Sequence, residues 1–240
     1  MARMPVRRNN IVAFLMDPNS LIDKEEISRL VPSCQVEQWV VSLLERYYSS
    51  RELIDFIRLK KGVTQELLEE LLPLGKYASS YYKDSNVFLQ FYPGTKNSFD
   101  ADFVDFDGNL IERIEVTMAI NGMQSRIQSE AINTFGHSCV YHTPKYTGSV
   151  KNRIISEPEC KTIGSEEIIQ IQAGWLNEAY CKKHKKLHKY PNATLLIGMD
   201  IPLFMEWEYQ KIMDMFTPKP NTFKKVVCVN TSSNHSWRLV

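Results

Sequence analysis

No run of about 18 continuous apolar residues occurs in this 240-residue sequence, so no membrane span is expected. The longest apolar stretch, Ala193 to Met199, is strand-sized. No CxxC pair occurs either. The five cysteines (Cys34, Cys139, Cys160, Cys181 and Cys228) are odd in number. With an N-terminus lacking an apolar leader run, they point to a reducing, cytoplasmic home. There is almost no net charge: 29 Lys and Arg stand against 28 Asp and Glu, so no global field attracts an acidic or basic partner. Walker lysine loop, GxGxxG turn, GxSxG elbow and HExxH helix are all missing, which leaves P-loop hydrolysis, dinucleotide chemistry, serine hydrolysis and zincin chemistry without a basis. Repeats and low-complexity tracts are absent too. A hydrophobic content of 43% excludes disorder. At about 150 residues per domain, the length fits one large domain or one domain with a modest appendage.

What is present divides into a helical beginning and a mixed remainder. Asp23 heads a short helix with an acidic first turn. Val36, Trp39, Val40, Leu43, Leu44 and Tyr47 recur at helical spacing over residues 35–48, and Leu53, Phe56 and Ile57 repeat the pattern. Thr64 opens another helix that Pro73 is expected to interrupt. No strand signal occurs in this part. The division expected is a helical region over 1–62 and an α/β domain over 63–240.

From Asn86 the period changes. Val87 to Tyr92 reads as a strand, Asp102 to Phe106 as a second, and Asp107-Gly108-Asn109 as the hairpin turn into a third, Leu110 to Ile120. On that third strand Ile114, Val116, Met118 and Ile120 form an apolar face, and Arg113, Glu115, Thr117 and Ala119 the opposite one. A polar helix over residues 122–135 follows, then an irregular connection over 136–164. A helix from Ser165 to about His188, a buried strand over 193–200, a helix over 203–216 and a last strand over 225–230 complete the pattern.

The spacing sets Asp102 and Glu115 on neighbouring strands, about 5 Å apart or one diagonal step away. Carboxylates so placed repel unless a cation lies between them. Oxygen ligands on rigid strands suit Mg²⁺ or Mn²⁺, and such an ion activates water against a phosphodiester. The plain alternative is a solvated strand face.

Ala101-Asp102, thirteen residues, then Glu115-Val116-Thr117, in a helix-β-β-β-helix-β order, resembles the PD-(D/E)xK, or restriction-endonuclease-like, nuclease superfamily over roughly Thr64 to Asp200. The resemblance implies an α/β fold with a mixed sheet flanked by helices. It also implies a Mg²⁺- or Mn²⁺-dependent nuclease of restriction, defence or mobile-element biology that cleaves DNA, with RNA left open. Asp102 and Glu115 would be metal ligands and catalytic residues, joined by Glu70 (or Glu69) from the preceding helix. Two positions depart from the motif. Ala101 replaces its proline, and Thr117, at the catalytic position, replaces its lysine, whose cation a hydroxyl cannot supply. Gln124, Arg126 and Gln128, or Lys182, Lys183 and Lys186, are available to take over that role. Otherwise the fold would serve as a catalytically silent nucleic-acid-binding or interaction module.

The densest positive run is Lys182 to Lys189, a candidate phosphate-binding face or a solvated helix end. Arg126, Lys145, Lys151, Lys182, Lys183 and Lys186 are the candidate nucleic-acid contacts, with Arg153 extending the same surface. Six tyrosines (Tyr47, Tyr48, Tyr81, Tyr82, Tyr92 and Tyr146) could stack on bases, though most fall at core-like positions. His137, Cys139 and His142, and separately Cys181, His184 and His188, have some of the makings of zinc sites but match no standard finger. A homodimer is expected if both strands of a duplex are cut.

Overall fold

The computed structural model describes residues 21–49, 51–94, 99–139, 141–149, 152–201, 204–220 and 223–240. Asp23 caps α1 (Lys24–Ile27), its carboxylate accepting the Glu26 amide at 2.6 Å. β1 (Val31–Pro32) follows and corrects the expectation that this region holds no strand. Its two residues pair with later Phe88 and Leu89, a tertiary contact that no local pattern announces. α2 (Val36–Glu45) buries Val36, Trp39, Val40, Leu43 and Leu44, the stripe its spacing predicts. α3 (Arg51–Arg58) comes next.

One long helix then runs through α4 (Val63–Glu66), a π turn (Leu67–Leu71) and α5 (Leu72–Tyr81). Pro73 therefore does not end the helix. Proline has no amide for the Glu69 carbonyl and its ring crowds that group; the widened turn just before it absorbs the misfit. α5 lies close on α2 at Gly75, where a Cβ would stand only 2.9 Å from the Glu37 Cα.

β2 (Val87–Phe91), β3 (Ala101–Asp105) and β4 (Leu110–Met118) form an antiparallel meander, with Gly108 at φ 82° in the second turn. The β3–β4 register shifts between Phe103 and Val104. α6 (Gly122–Phe135) starts where the Asn121 side chain takes the Gln124 amide and stops at left-handed Gly136, matching the span read from sequence. The connection expected to be irregular instead holds a separate hairpin, β5 (Tyr146–Ser149) and β6 (Asn152–Ile155). α7 (Ser165–His184), β7 (Thr194–Met199), α8 (Glu206–Asp214), β8 (Lys225–Asn230) and β9 (Ser236–Arg238) complete the chain.

The main sheet has seven strands in the order β1-β2-β3-β4-β7-β8-β9. β4, β7 and β8 are parallel to one another and the flanking pairs antiparallel, so the protein is α/β with a mixed sheet between helices. Alternation along the central strands sends Ile114, Val116, Leu196 and Val227 into one core with α2 and α5. It sends Leu195, Ile197, Val226 and Cys228 into a second core under α7 and α8. The apolar residues of α2 thus share a core with the sheet. At its two rims the sheet ends in the shortest strands, β1 with two residues and β9 with three.

Glu112, on the apolar face of β4, is buried, which the alternation did not foretell. It accepts from the hydroxyls of Tyr77 (2.6 Å), Tyr82 (2.7 Å) and Thr194 (2.5 Å), with the Lys225 ammonium at 4.0 Å. A buried carboxylate persists because its oxygens are so fully engaged.

Cys139 and Cys160 form a disulfide, correcting the expectation of thiols throughout and weakening the cysteine-count argument for a reducing home. The bond also removes Cys139 from any zinc site. His184 Nε2 lies 3.2 Å from the Pro220 carbonyl rather than on a ligand partner. No helix among the described residues is long and apolar enough to cross a membrane.

Candidate active site

β3 is shorter than its neighbour at one end. Its ladder with β4 stops at the pair Ala101–Ile114, while β4 continues to Met118 along β7. Among the described residues no strand covers the other edge of β4 beyond Ile114. Asp100 fills the gap instead. Its amide donates to the Ile114 carbonyl at 3.1 Å, and its side chain accepts the Val116 amide at 2.7 Å. Asp100 is thereby fixed against the stretch of β4 that carries Glu115.

Asp102 stands one diagonal step from Glu115, as the spacing leads one to expect, but its oxygens are engaged elsewhere. Register sets it across from Arg113, whose guanidinium lies 3.6 Å from one carboxylate oxygen, and the Tyr92 hydroxyl donates to the other at 3.1 Å. Burial pushes its carboxyl up, opposed by Tyr92 and Arg113. The carboxylate whose charge acts on Glu115 is Asp100, two residues earlier, fixed against Ile114 and Val116 on either side of it.

Glu115 is only 4% exposed and odd-numbered on β4, so it points to the α7 side of the sheet. Lys183, in the last turn of α7, lies with its ammonium against the Glu115 carboxylate, and Tyr190 donates a further hydrogen bond to it. Burial, then the charge of Asp100, pushes Glu115 up to about 6 against the pull of Lys183. Burial also raises Asp100, offset by the Val116 amide and Lys183. Tyr190 rises to about 12 through burial and the neighbouring Glu115.

Glu70 arrives from the opposite side, on the π turn. Burial, then Asp100 and Glu66, pushes its carboxyl up to about 8. The turn that absorbs Pro73 thus also carries a third carboxylate to the site. Glu69, one residue earlier, pairs instead with Lys60 at 2.8 Å. Thr117 shares the Glu115 face of β4. With Glu70, Lys182, Lys183, Lys186 and Tyr190 it lines a cleft of about 220 Å³.

That cleft adjoins a larger one of about 650 Å³, shared through Glu69, Thr117, Met118 and Lys182 and reaching Arg126. Arg126 makes an ion pair with Glu130 at 3.1 Å. Lys145 is elsewhere, exposed beside Glu159 at 3.6 Å. Arg153 is not on a binding surface: its side chain is 2% exposed and holds Glu130 at 3.0 Å. Lys151 lies outside the described residues. Of the tyrosines, Tyr47 is buried in the first core and Tyr82 is committed to Glu112.

As the side chains stand, no group of three His, Cys, Asp or Glu among the described residues is set to hold a metal ion. The site instead offers a pair of hard oxygen donors, Asp100 and Glu115, with Lys183 lying on one of them. One or two carboxylates are what Mg²⁺ ordinarily takes from a protein, the remaining positions going to water and phosphate. The chain matches no family model, no curated protein and no solved structure.

Proposed function

We propose that the protein is a Mg²⁺- or Mn²⁺-dependent nuclease that hydrolyses phosphodiester bonds in DNA, with the restriction-endonuclease-like arrangement that its element order resembles. The observation that carries this reading is Glu115 set against Lys183 at the uncovered edge of β4, with Asp100 fixed on the same stretch by the Val116 amide and Glu70 lining the cleft beside Lys183. Asp100 and Glu115 would hold the ion, with Glu70 beside them. When bound, such an ion supplies Lewis acidity toward the phosphodiester and lowers the pKa of water.

The remaining work falls to the chain itself. Lys183 brings from α7 the cation missing at Thr117, and orients water or balances the charge growing on phosphate oxygens. Asp100 is held by the Val116 amide, so its reach is fixed by the sheet. Tyr190 restrains Glu115 by a further hydrogen bond. A role in restriction, defence or mobile-element biology accords with this chemistry, and two copies would serve to cut both strands.

One observation favours a second reading, a nucleic-acid-binding protein without cleavage: Lys183 already neutralises the Glu115 oxygen that a metal ion would need. Incubating plasmid and single-stranded DNA with Mg²⁺ or Mn²⁺ separates the two. The nuclease reading expects cleavage by wild type that Asp100→Ala and Glu115→Ala abolish and Asp102→Ala largely retains. Salt-sensitive binding with no cleavage under any of these conditions would establish the second reading instead.

A further inference from the structure

The larger cleft is unusual for a chain of net charge +1, because five cationic side chains (Arg58, Lys60, Lys61, Arg126 and Lys182) line it against two carboxylates, Glu69 and Glu130. Three of the five come from the helical region before the sheet, at the end of α3. That end is built unusually. The Lys61 amide donates to the Phe56 carbonyl at 3.0 Å and the Lys60 amide to Ile57 at 3.1 Å, the paired bonds of a Schellman stop. Such a stop places its penultimate residue in the left-handed region, where glycine is preferred. Here the residue is Lys60, at φ 48°. A lysine in that conformation costs backbone energy that glycine would not, a cost proteins tolerate chiefly where the side chain is used.

The lining also says what is read. None of its residues is aromatic, so the cleft has no platform for stacking bases. Its donors are mainly ammonium and guanidinium groups, with the hydroxyls of Thr117, Ser125 and Ser129 and a Gln65 amide that already donates to Glu69 at 2.9 Å. Among the described residues neither Lys61 nor Lys182 has a carboxylate partner, and Lys60 sits on Glu69, masking one of the two acids.

We infer that this cleft is a phosphate track for duplex DNA, gripping the sugar-phosphate backbone without reading bases, with Lys60 held in its left-handed turn to complete the wall. Lys182 and Thr117 border both clefts, so the track leads the backbone to Lys183, whose ammonium lies on Glu115. The inference rests on the nuclease reading for its direction, but binding tests it separately.

Fluorescence anisotropy of a labelled 20-base-pair duplex, in EDTA over a range of salt, measures the track without cleavage. Each lost phosphate contact lowers the salt slope by about 0.9, or roughly tenfold in affinity at 0.1 M salt. Lys60→Gly and Lys61→Ala should each show that loss equally on unrelated sequences, while Lys60→Gly leaves the melting temperature unchanged or raised. Glu69→Gln, which removes an acid from the wall, should tighten binding. A Lys60→Gly protein that binds as wild type, or loses affinity only because it has melted, overturns the track. So does tighter binding to single strands of one base composition than to duplex. Cleavage that depends on Asp100 and Glu115 but ignores Lys60, Lys61 and Glu69 would leave the nuclease standing without it.

Discussion

Lys183 lies against Glu115 although 68 residues separate them, bringing the last turn of α7 to the middle of β4. The pairing puts a cation beside the glutamate of the Glu115-Val116-Thr117 segment from another element altogether. It also ties the helix to the sheet at the point where β3 has ended.

Removing that ammonium should expose its role. If the protein is the proposed nuclease, Lys183→Ala is expected to lower the cleavage rate by about 10²–10³, the scale for losing one preorganised charge at a reacting centre. Lys183→Arg should recover part of the rate, while Thr117→Ala has a smaller effect. Single-turnover kinetics with excess protein reads this directly; an unimpaired Lys183→Ala enzyme would remove Lys183 from the chemistry.

Glu70 makes stability depend on pH in a definite direction. Burial, with Asp100 and Glu66, lifts its carboxyl from 4.5 to about 8. The folded chain then holds this proton more tightly than the unfolded one. Its stabilising contribution is complete below pH 4.5 and lost as the pH rises through 8. Glu70→Gln should therefore gain about 1–3 kcal/mol over wild type at pH 9 relative to pH 4, by urea unfolding. Millimolar Mn²⁺ should shrink that gap; a difference flat in pH would mean that Glu70 is solvated.

The Glu112 cluster should behave as a structural unit rather than a catalytic one. Tyr77→Phe removes one of its three hydroxyl donors and should cost about 1–2 kcal/mol. Glu112→Ala, which strands Lys225 and the hydroxyls, should cost about 3 kcal/mol or more. Chemical denaturation gives both values, and cleavage per folded molecule should stay unchanged.

The Cys139–Cys160 bond clamps the two chain segments that flank the β5–β6 hairpin, closing a span of 21 residues. Chain-entropy arguments assign such a closure about 3 kcal/mol. Reductant, or Cys139→Ser with Cys160→Ser, should lower stability by up to that amount and speed amide exchange in β5 and β6 first. The sheet amides should change least.

Much of the architecture was legible because its signals are local. Asn121 and Gly136 bracket α6, and the apolar stripes of α2 and β8 need no partner to be read. The candidate site was legible only in outline. Glu115 and Glu70 come from periodic segments, but choosing Asp100 over Asp102 requires the hairpin register, which the shift at Phe103 and Val104 hides. Glu112 stayed hidden because its partners come from α5, β7 and β8. Arg58, Lys60 and Lys61 read as an ordinary helix end until the tertiary fold turns them toward Thr117. The disulfide was invisible for a similar reason: cysteine spacing says nothing about which thiols meet.

The two shortest strands carry a last consequence. Pro32, in the strand at one margin, has no amide to offer a newcomer, and the opposite margin presents only Ser236 to Arg238. Among the described residues, the two margins of the main sheet thus offer a second molecule little template for lengthening its ladder. Copies that paired would then meet more readily through side chains of helices and loops than through backbone bonds at these two margins.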